Sequence, residues 1–222
     1  MKRISLAVAT LLLFAHTCAA QGVVLNPTDP KRWDFAFNTG WMGGNKTGLA
    51  EEWNNWYDTL ATSVDVGRYW TPNLKTEASV AYTTKGDVYS VEQLNAPGRQ
   101  FPIFFTREHS FGLAAMRLGV TYQFFENSWV HPYFTGGAQL GWERHTVDTQ
   151  LPFVTGRDPQ TRFPVPEPQD APGTTFSANP FVGAGAKFYV GERGFIRTDL
   201  SAAFDGRGAA QVTWRAGVGV DF

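Results

Sequence analysis

Bulky apolar and small or polar side chains alternate with a period of two along most of this chain. This period places successive side chains on opposite faces of a β-strand, whereas the apolar positions of a helix recur every three or four residues. The pattern predicts eight strands and no helix. The predicted strands span residues 33–43, 58–70, 74–84, 116–124, 130–143, 179–190, 195–204 and 210–222.

The connections between these strands alternate in length. Tight turns are predicted at 71–73, 126–128 and 191–194, and long connections at 45–56, 85–103 and 146–174. Short turns on one side and long loops on the other are typical of outer-membrane barrels, whose short turns face the periplasm. Only 205–208 departs from this rule, as a short connection on the long-loop side. We therefore expect the long loops outside the cell and both chain termini in the periplasm.

A secreted two-sheet sandwich would show the same alternation. The aromatic residues favour a barrel, because they gather near both ends of the predicted strands, as they do at two bilayer interfaces. Near the tight turns lie Trp33, Trp70, Phe125, Trp129, Phe195 and Phe222. Near the long loops lie Trp41, Trp56, Tyr57, Trp142, Phe176 and Phe204. We therefore predict an all-β fold, an eight-stranded antiparallel up-and-down transmembrane β-barrel.

The alternation breaks once, at the beginning of the fourth strand. Phe111 and Leu113 have the sequence parity of Arg117, which lies on the polar face, and not that of Met116. We interpret the break as a β-bulge or register change within 112–115, because one extra residue exchanges the two faces of a strand. Residues 104–110 are expected to continue the strand beyond the bilayer.

The first twenty residues have the pattern of a secretory signal peptide. A basic start precedes an apolar run over 4–14, and small residues follow at 18–20. The apolar run is shorter than the roughly 20 residues that a transmembrane helix needs. We predict a signal peptide at 1–20 and an outer-membrane β-barrel domain at 21–222.

Composition agrees with a barrel that has one face in lipid and one polar face. The chain has 23 Gly, 18 Phe, 8 Trp and 7 Tyr residues, yet its mean hydropathy is negative. The single cysteine, Cys18, lies in the predicted signal peptide, so the mature domain would contain no disulfide. Without Lys2 and Arg3, 17 basic residues remain against 20 acidic ones, a net charge of −3. This balance does not favour nucleic-acid binding.

Three features together resemble the OmpA-type family of small eight-stranded outer-membrane proteins. They are the signal peptide, the Gly-rich strands that open at Pro132-Tyr133 and Pro180-Phe181, and the final alternating strand that ends on Phe222. The resemblance implies an outer-membrane location and recognition of the last strand by the outer-membrane insertion machinery, with Phe222 as the insertion signal. It implies no particular activity.

If the apolar face of each strand meets lipid, the opposite face points into the lumen. Six acidic and five basic residues then share that interior: Asp34, Asp65, Lys75, Glu77, Arg117, Glu143, Lys187, Arg197, Asp199, Arg215 and Asp221. An eight-stranded barrel is narrow enough for side chains to fill it, and buried charges must be paired to be tolerated. The set therefore predicts a plug of ion pairs, with an ion or proton path as the alternative.

Catalytic and metal-binding patterns are weak. The histidines of the mature chain are His109, His131 and His145, and Ser110 follows His109 directly, so their side chains point to opposite faces of a strand. The His-x-Ser arrangement of outer-membrane lipid A deacylases does not occur, and no histidines have metal-ligand spacing. We expect no catalytic residues, no cofactor and no metal.

These observations predict an outer-membrane protein with a structural or surface-interaction role. Its expected partners are outer-membrane lipid, the insertion machinery and an extracellular ligand at the long loops. The third loop, 146–174, contains six prolines, which stiffen it and favour either a recognition loop or a tolerated insertion. The alternatives are a small channel for apolar or small polar solutes and, from a third class, a lipid-modifying enzyme.

Overall fold

The computed structural model describes residues 33–45, 56–94, 103–124, 129–150 and 172–222. The predicted signal peptide at 1–20, the turn at 126–128 and most of the Pro-rich loop lie outside the described residues. Nine strands account for nearly all of the described part: β1 (Trp33–Asn45), β2 (Trp56–Tyr69), β3 (Leu74–Thr83), β4 (Gly86–Leu94), β5 (Ile103–Gln123), β6 (Val130–Gln150), β7 (Gly173–Tyr189), β8 (Gly194–Asp205) and β9 (Gly208–Asp221). Within these ranges, no helix has the length and apolar character needed to cross a membrane.

The strands form one closed barrel in which every pairing is antiparallel. Closure comes from β1, which pairs with β9, and from β3, which pairs with β5. β3 and β4 follow one another along the same edge of β5, opposite residues 114–122 and 103–111 respectively. The two therefore occupy one position in the wall, and the predicted eight-stranded barrel is confirmed.

The chain ends are joined within the wall. Trp33 N donates a hydrogen bond to Phe222 O at 3.0 Å, and Phe222 N donates to Trp33 O at 2.9 Å. The last residue therefore has the backbone partners that a strand at an open sheet edge would lack.

The irregularity predicted at 112–115 lies on the neighbouring strand instead. β5 runs without a break from Ile103 to Gln123, so the expected bulge there is wrong. Between β3 and β4, three residues, 83–85, face only two residues of β5. The side chains of Thr84 and Lys85 are both exposed, as expected where one extra residue interrupts the alternation.

Phe111 and Leu113 point into the barrel without any change of register. They are 2% and 3% exposed and lie on the same face of β5 as Arg117. They join an apolar cluster that fills the interior near the long-loop end, hereafter the apolar layer, made of Met42, Tyr57, Ala61, Val88, Phe111, Leu113 and Ala115. The interior thus changes from charged to apolar along the barrel.

The outer face changes in the opposite sense at a similar height. On the turn side of Trp142, the outward side chains of β5 and β6 are apolar and exposed: Met116, Leu118, Val120, Tyr122, Phe134 and Leu140. On the long-loop side of Trp142, the outward side chains are polar: Thr106, Glu108, Ser110, Arg144, Thr146 and Asp148. Lipid surrounds the wall on the turn side and water surrounds it on the long-loop side, so apolar side chains move from the outer face to the inner one. This change of solvent explains the break in the sequence alternation.

Three strands continue beyond the bilayer on the long-loop side. β5 and β6 have 21 residues each, whereas β3 has 10 and β8 has 12. At about 3.4 Å per residue these long strands measure about 70 Å, and a spanning strand needs only about 9–11 residues. The continuation, hereafter the rim sheet, consists of β4, residues 103–112 of β5 and residues 144–150 of β6. The predicted strand extension over 104–110 is confirmed, but the predicted loop at 85–103 is wrong where it covers β4.

Aromatic side chains mark both membrane interfaces on the outer wall. Those near the turns are Trp33, Trp70, Trp129 and Phe222, and those near the long loops include Trp41, Trp142 and Phe176. Two predicted members, Tyr57 and Phe195, are each 1% exposed and point inward. Phe195 fits there because Gly219 has no side chain: a Cβ at Gly219 would lie 2.2 Å from the ring.

Candidate functional site

The lumen contains all eleven of the charged residues that the sequence placed there. Ten of them are at most 8% exposed, and Glu143 is partly exposed near the long-loop end. Nine are connected through ion pairs into a single network: Asp34, Asp65, Lys75, Glu77, Lys187, Arg197, Asp199, Arg215 and Asp221. We call this set the lumen network.

Two lysines link carboxylates from three strands near the turn end. The Nζ atoms of Lys75 and Lys187 lie 2.7 Å and 2.5 Å from Oδ2 of Asp34. Lys187 also donates to Asp221 at 3.2 Å, and Lys75 donates to Glu77. Each ammonium group therefore has at least two carboxylate partners, which offsets the cost of burying it.

Arg197 is the centre of the network at mid-height. Its guanidinium donates to both carboxylate oxygens of Glu77 at 3.1 Å and lies 3.2 Å from Asp65 and 3.3 Å from Asp199. Arg215 extends the set, with contacts of 3.0 Å to Asp199 and 3.4 Å to Asp65. Two guanidinium groups thus separate three carboxylates that would otherwise repel one another.

Neutral side chains complete the network, and the sequence analysis did not single them out. Tyr69 OH donates to Asp34 at 3.2 Å, and Ser79 Oγ donates to Asp65 at 2.5 Å. Asn38 Nδ2 donates to the same Asp65 at 2.9 Å. All three share the lumen-facing parity of their strands, so the alternation that located the charges could also have located them.

Arg117 and Glu143 lie in the lumen outside the ion-paired network. Arg117 donates to Gln139 at 2.6 Å, to Ser201 at 3.1 Å and to Thr213 at 3.4 Å. No carboxylate in the described ranges lies within ion-pair distance of its guanidinium. Glu143 accepts a hydrogen bond of 3.1 Å from Tyr57 in the apolar layer. The expectation that every lumen charge has an opposite charge beside it is therefore wrong for Arg117, whose partners are neutral.

Little space remains between the lumen network and the apolar layer. A cavity of about 10 Å³ lies at their junction, lined by residues that include Met42, Ser63, Leu113, Arg117 and Arg215. A single water molecule needs about this volume. The interior at this height is therefore filled by side chains.

A polar trio lies above the apolar layer, on the inner face of the rim sheet. Ser90 Oγ is 3.1 Å from His109 Nε2, and His109 Nδ1 is 3.1 Å from His145 Nε2. The sequence placed Ser90 in a loop and so could not bring it to the histidine, which the pairing of β4 with β5 does. Within the described ranges, no three histidine, cysteine or acidic side chains are grouped so that they could hold a metal ion.

The structure defines an outer-membrane β-barrel protein by three features. They are the closed antiparallel wall, the apolar outer belt between two bands of aromatic side chains, and the polar lumen filled by side chains. This architecture places the backbone polar groups of the spanning strands in strand pairings along most of the wall, which a lipid environment requires.

Comparison with solved structures gives the same class. Over 86% of its length the chain is similar to Ail, the attachment invasion locus protein of Yersinia pestis, with a TM-score of 0.51, 10% sequence identity and 99% of that chain covered. It is equally similar in fold to Neisserial surface protein A, with a TM-score of 0.51, 16% identity, 86% of this chain and 97% of that chain covered. No family model matches the sequence, and no curated protein matches it significantly. At these identities the likeness concerns the fold alone.

Proposed function

We propose that this protein has a structural or surface-interaction role in the outer membrane and binds extracellular partners through its long loops and the rim sheet. One observation carries the proposal, the division of the barrel into two parts. The part within the membrane has a lumen filled by paired charges, and the part beyond it presents a sheet with a polar outer face. Such a division favours display at the cell surface over passage through the wall.

One edge of β7 supports a role for this surface in binding. β7 begins at Gly173, but its pairing with β8 begins only at Phe181. Among the described residues, 173–180 pair with β6 alone, so the other edge has no strand beside it. An unpaired edge can accept an extended segment of a partner protein. Two fold relatives are named an attachment invasion locus protein and a surface protein, which agrees with this role.

Membership of the OmpA-type family is part of the same proposal. Its support is the Pro132-Tyr133 pair near the start of β6, the eight-stranded barrel and the terminal Phe222, whose backbone pairs with Trp33. Pro180-Phe181, in contrast, lies inside β7, which begins at Gly173. Recognition of the last strand by the insertion machinery follows from Phe222 and its pairing.

A conductance measurement separates this role from that of a channel. Full-length protein reconstituted in a planar bilayer should give no steady open-channel current, because ion-paired side chains and the apolar layer fill the lumen where they meet, around a cavity of about 10 Å³. Substitution of Arg197 by Ser, which removes the central side chain, should raise the conductance relative to the unchanged protein. Stable large currents from the unchanged protein would contradict the proposal and support the channel.

The absence of enzymatic activity is also proposed. Ser90 and His109 are each 3% exposed, so in this arrangement a substrate carbonyl has no route to the Ser90 hydroxyl. A fluorophosphonate probe, which labels activated serines, should therefore leave the folded protein unmodified. Labelling that disappears in Ser90→Ala but persists in Ser110→Ala would identify a serine nucleophile and overturn this part of the proposal.

A further inference from the structure

We propose that Arg68, together with Trp33 and Trp70, binds the phosphate group of a phospholipid in the membrane leaflet at the turn end of the barrel. With the sidedness expected from loop length, this is the periplasmic leaflet. The inference goes beyond the proposed surface role, because it concerns the opposite end of the protein.

Arg68 lies between two tryptophans on the outer wall. It is an exposed residue near the end of β2, directly opposite Trp33 of β1 and Thr76 of β3 in the strand pairing. Its Cζ atom is 4.5 Å from the ring centroid of Trp70 and 5.5 Å from that of Trp33. Trp70 is itself held in place, because its Nε1 donates a 2.8 Å hydrogen bond to Thr76 Oγ1. The guanidinium is thus positioned by three strands and a turn.

Among the described residues, no carboxylate lies within ion-pair distance of the Arg68 guanidinium, and its side-chain N–H groups donate no hydrogen bond. In contrast, each of the lysines and arginines of the lumen network contacts at least two carboxylates. Cation–π contacts with the two rings leave the guanidinium donors available for an oxygen ligand. The Arg68 guanidinium faces the membrane, so an anionic group of the membrane lipid is the ligand that can neutralise its charge.

Phosphate bound to a lipid fits this position better than free phosphate. A guanidinium binds two phosphate oxygens in parallel, which an ammonium group cannot do. The wall next to Arg68 carries the exposed side chains of Phe35 and Val66, which are suited to the acyl chains of the same lipid. Tryptophan rings are enriched at the headgroup level of bilayers, which sets the depth of the site. Anion and apolar contacts together therefore specify a phospholipid.

Native mass spectrometry of the folded, full-length protein tests the site. Detergent-solubilised protein is incubated with phosphatidylglycerol, and the retained lipid is counted for the unchanged chain, Arg68→Gln and Arg193→Gln. Arg193 is a matched control, because it is exposed at the same end of the barrel and contacts no aromatic ring among the described residues. We expect Arg68→Gln to lower the affinity about tenfold, corresponding to about 1.4 kcal/mol, while Arg193→Gln leaves it unchanged. Equal retention by the two variants would refute the site.

Three further measurements keep the result unambiguous. Trp70→Leu should weaken retention while the heat-dependent gel shift of the folded barrel persists, so a loss of binding is separated from a loss of folding. Diacylglycerol, which has no phosphate, should be retained equally by the unchanged chain and by Arg68→Gln. Inorganic phosphate should not displace the lipid at equal concentration. Full displacement of the lipid by inorganic phosphate would show a site for a free anion. Preferential retention of lipid A would place this end of the barrel in the opposite leaflet. Either result would overturn the proposal.

Discussion

Replacing Arg197 with methionine should destabilise the barrel more than any other single substitution of a lumen charge. Methionine keeps the approximate length of the side chain but removes the guanidinium, so Asp65, Glu77 and Asp199 lose their shared partner. Glu77 keeps Lys75, and the other two keep Arg215. Breaking a buried ion pair by removing one partner costs about 3–5 kcal/mol, because the remaining charge stays buried. With three carboxylates affected, we expect the upper part of that range.

Arg117→Met is the matched control, because it removes the same group from the same lumen. Its partners Gln139, Ser201 and Thr213 are neutral, so each lost hydrogen bond costs about 0.5–1.5 kcal/mol, and burial of one charge is relieved. The two variants should therefore differ by about 2–3 kcal/mol on these magnitudes.

Urea unfolding in detergent micelles, followed by tryptophan fluorescence and by the heat-dependent gel shift, measures the difference. With a slope of about 1–3 kcal/mol per molar urea, Arg197→Met should lower the midpoint by about 1.5 M or more, and Arg117→Met by about half of that. If the two midpoints fall by the same amount, the argument that ion-paired and neutral partners differ in cost is refuted.

Three other predictions follow from particular contacts. Deleting Phe222 removes two hydrogen bonds to β1, so the amount of heat-modifiable protein in the outer membrane should fall strongly, whereas Phe222→Tyr should leave it near normal. Gly40→Ala places a Cβ 2.0 Å from a carbonyl oxygen and should lower the free energy of unfolding, measured with urea, by at least about 1–3 kcal/mol. Gly136→Ala, whose nearest contact would be 3.6 Å, should leave the free energy of unfolding unchanged. Trypsin added to whole cells should cut at Arg157 or Arg162 of the Pro-rich loop, and cleavage only after permeabilisation would mean inverted topology or a loop folded inward.

Local alternation was sufficient to predict the eight wall positions and the faces of most of their side chains, although it missed β4 and the inward orientation of Tyr57 and Phe195. A period of two is a property of each strand by itself, so it assigns the charged residues to one side of the wall before any pairing is known. The same reasoning could have found Asn38 and Tyr69, which have the parity of their charged neighbours. Closure at Phe222 was also accessible, because a barrel in lipid leaves no strand edge unpaired.

The partners of the lumen charges were decided only by the tertiary structure. Asp34 contacts Lys75 and Lys187, which are 41 and 153 residues away in sequence, because closing the barrel brings β1, β3 and β7 around one narrow interior. Arg117, with the same parity, meets neutral groups instead. The residues that meet across the lumen are set by the register offsets of all the strand pairings around the barrel, taken together. A local sequence pattern does not contain these offsets.

Phe111 and Leu113 show the same division between local pattern and tertiary structure. Their sequence pattern correctly indicates a change along the fourth predicted strand, but it cannot distinguish a shift in register from a shift in solvent. The structure keeps the register and lets β5 and β6 pass from lipid into water, where apolar side chains are more stable on the inner face. Alternation in the sequence shows that the two faces of a strand differ. Only the folded barrel in its membrane determines whether each face contacts lipid, water or other side chains.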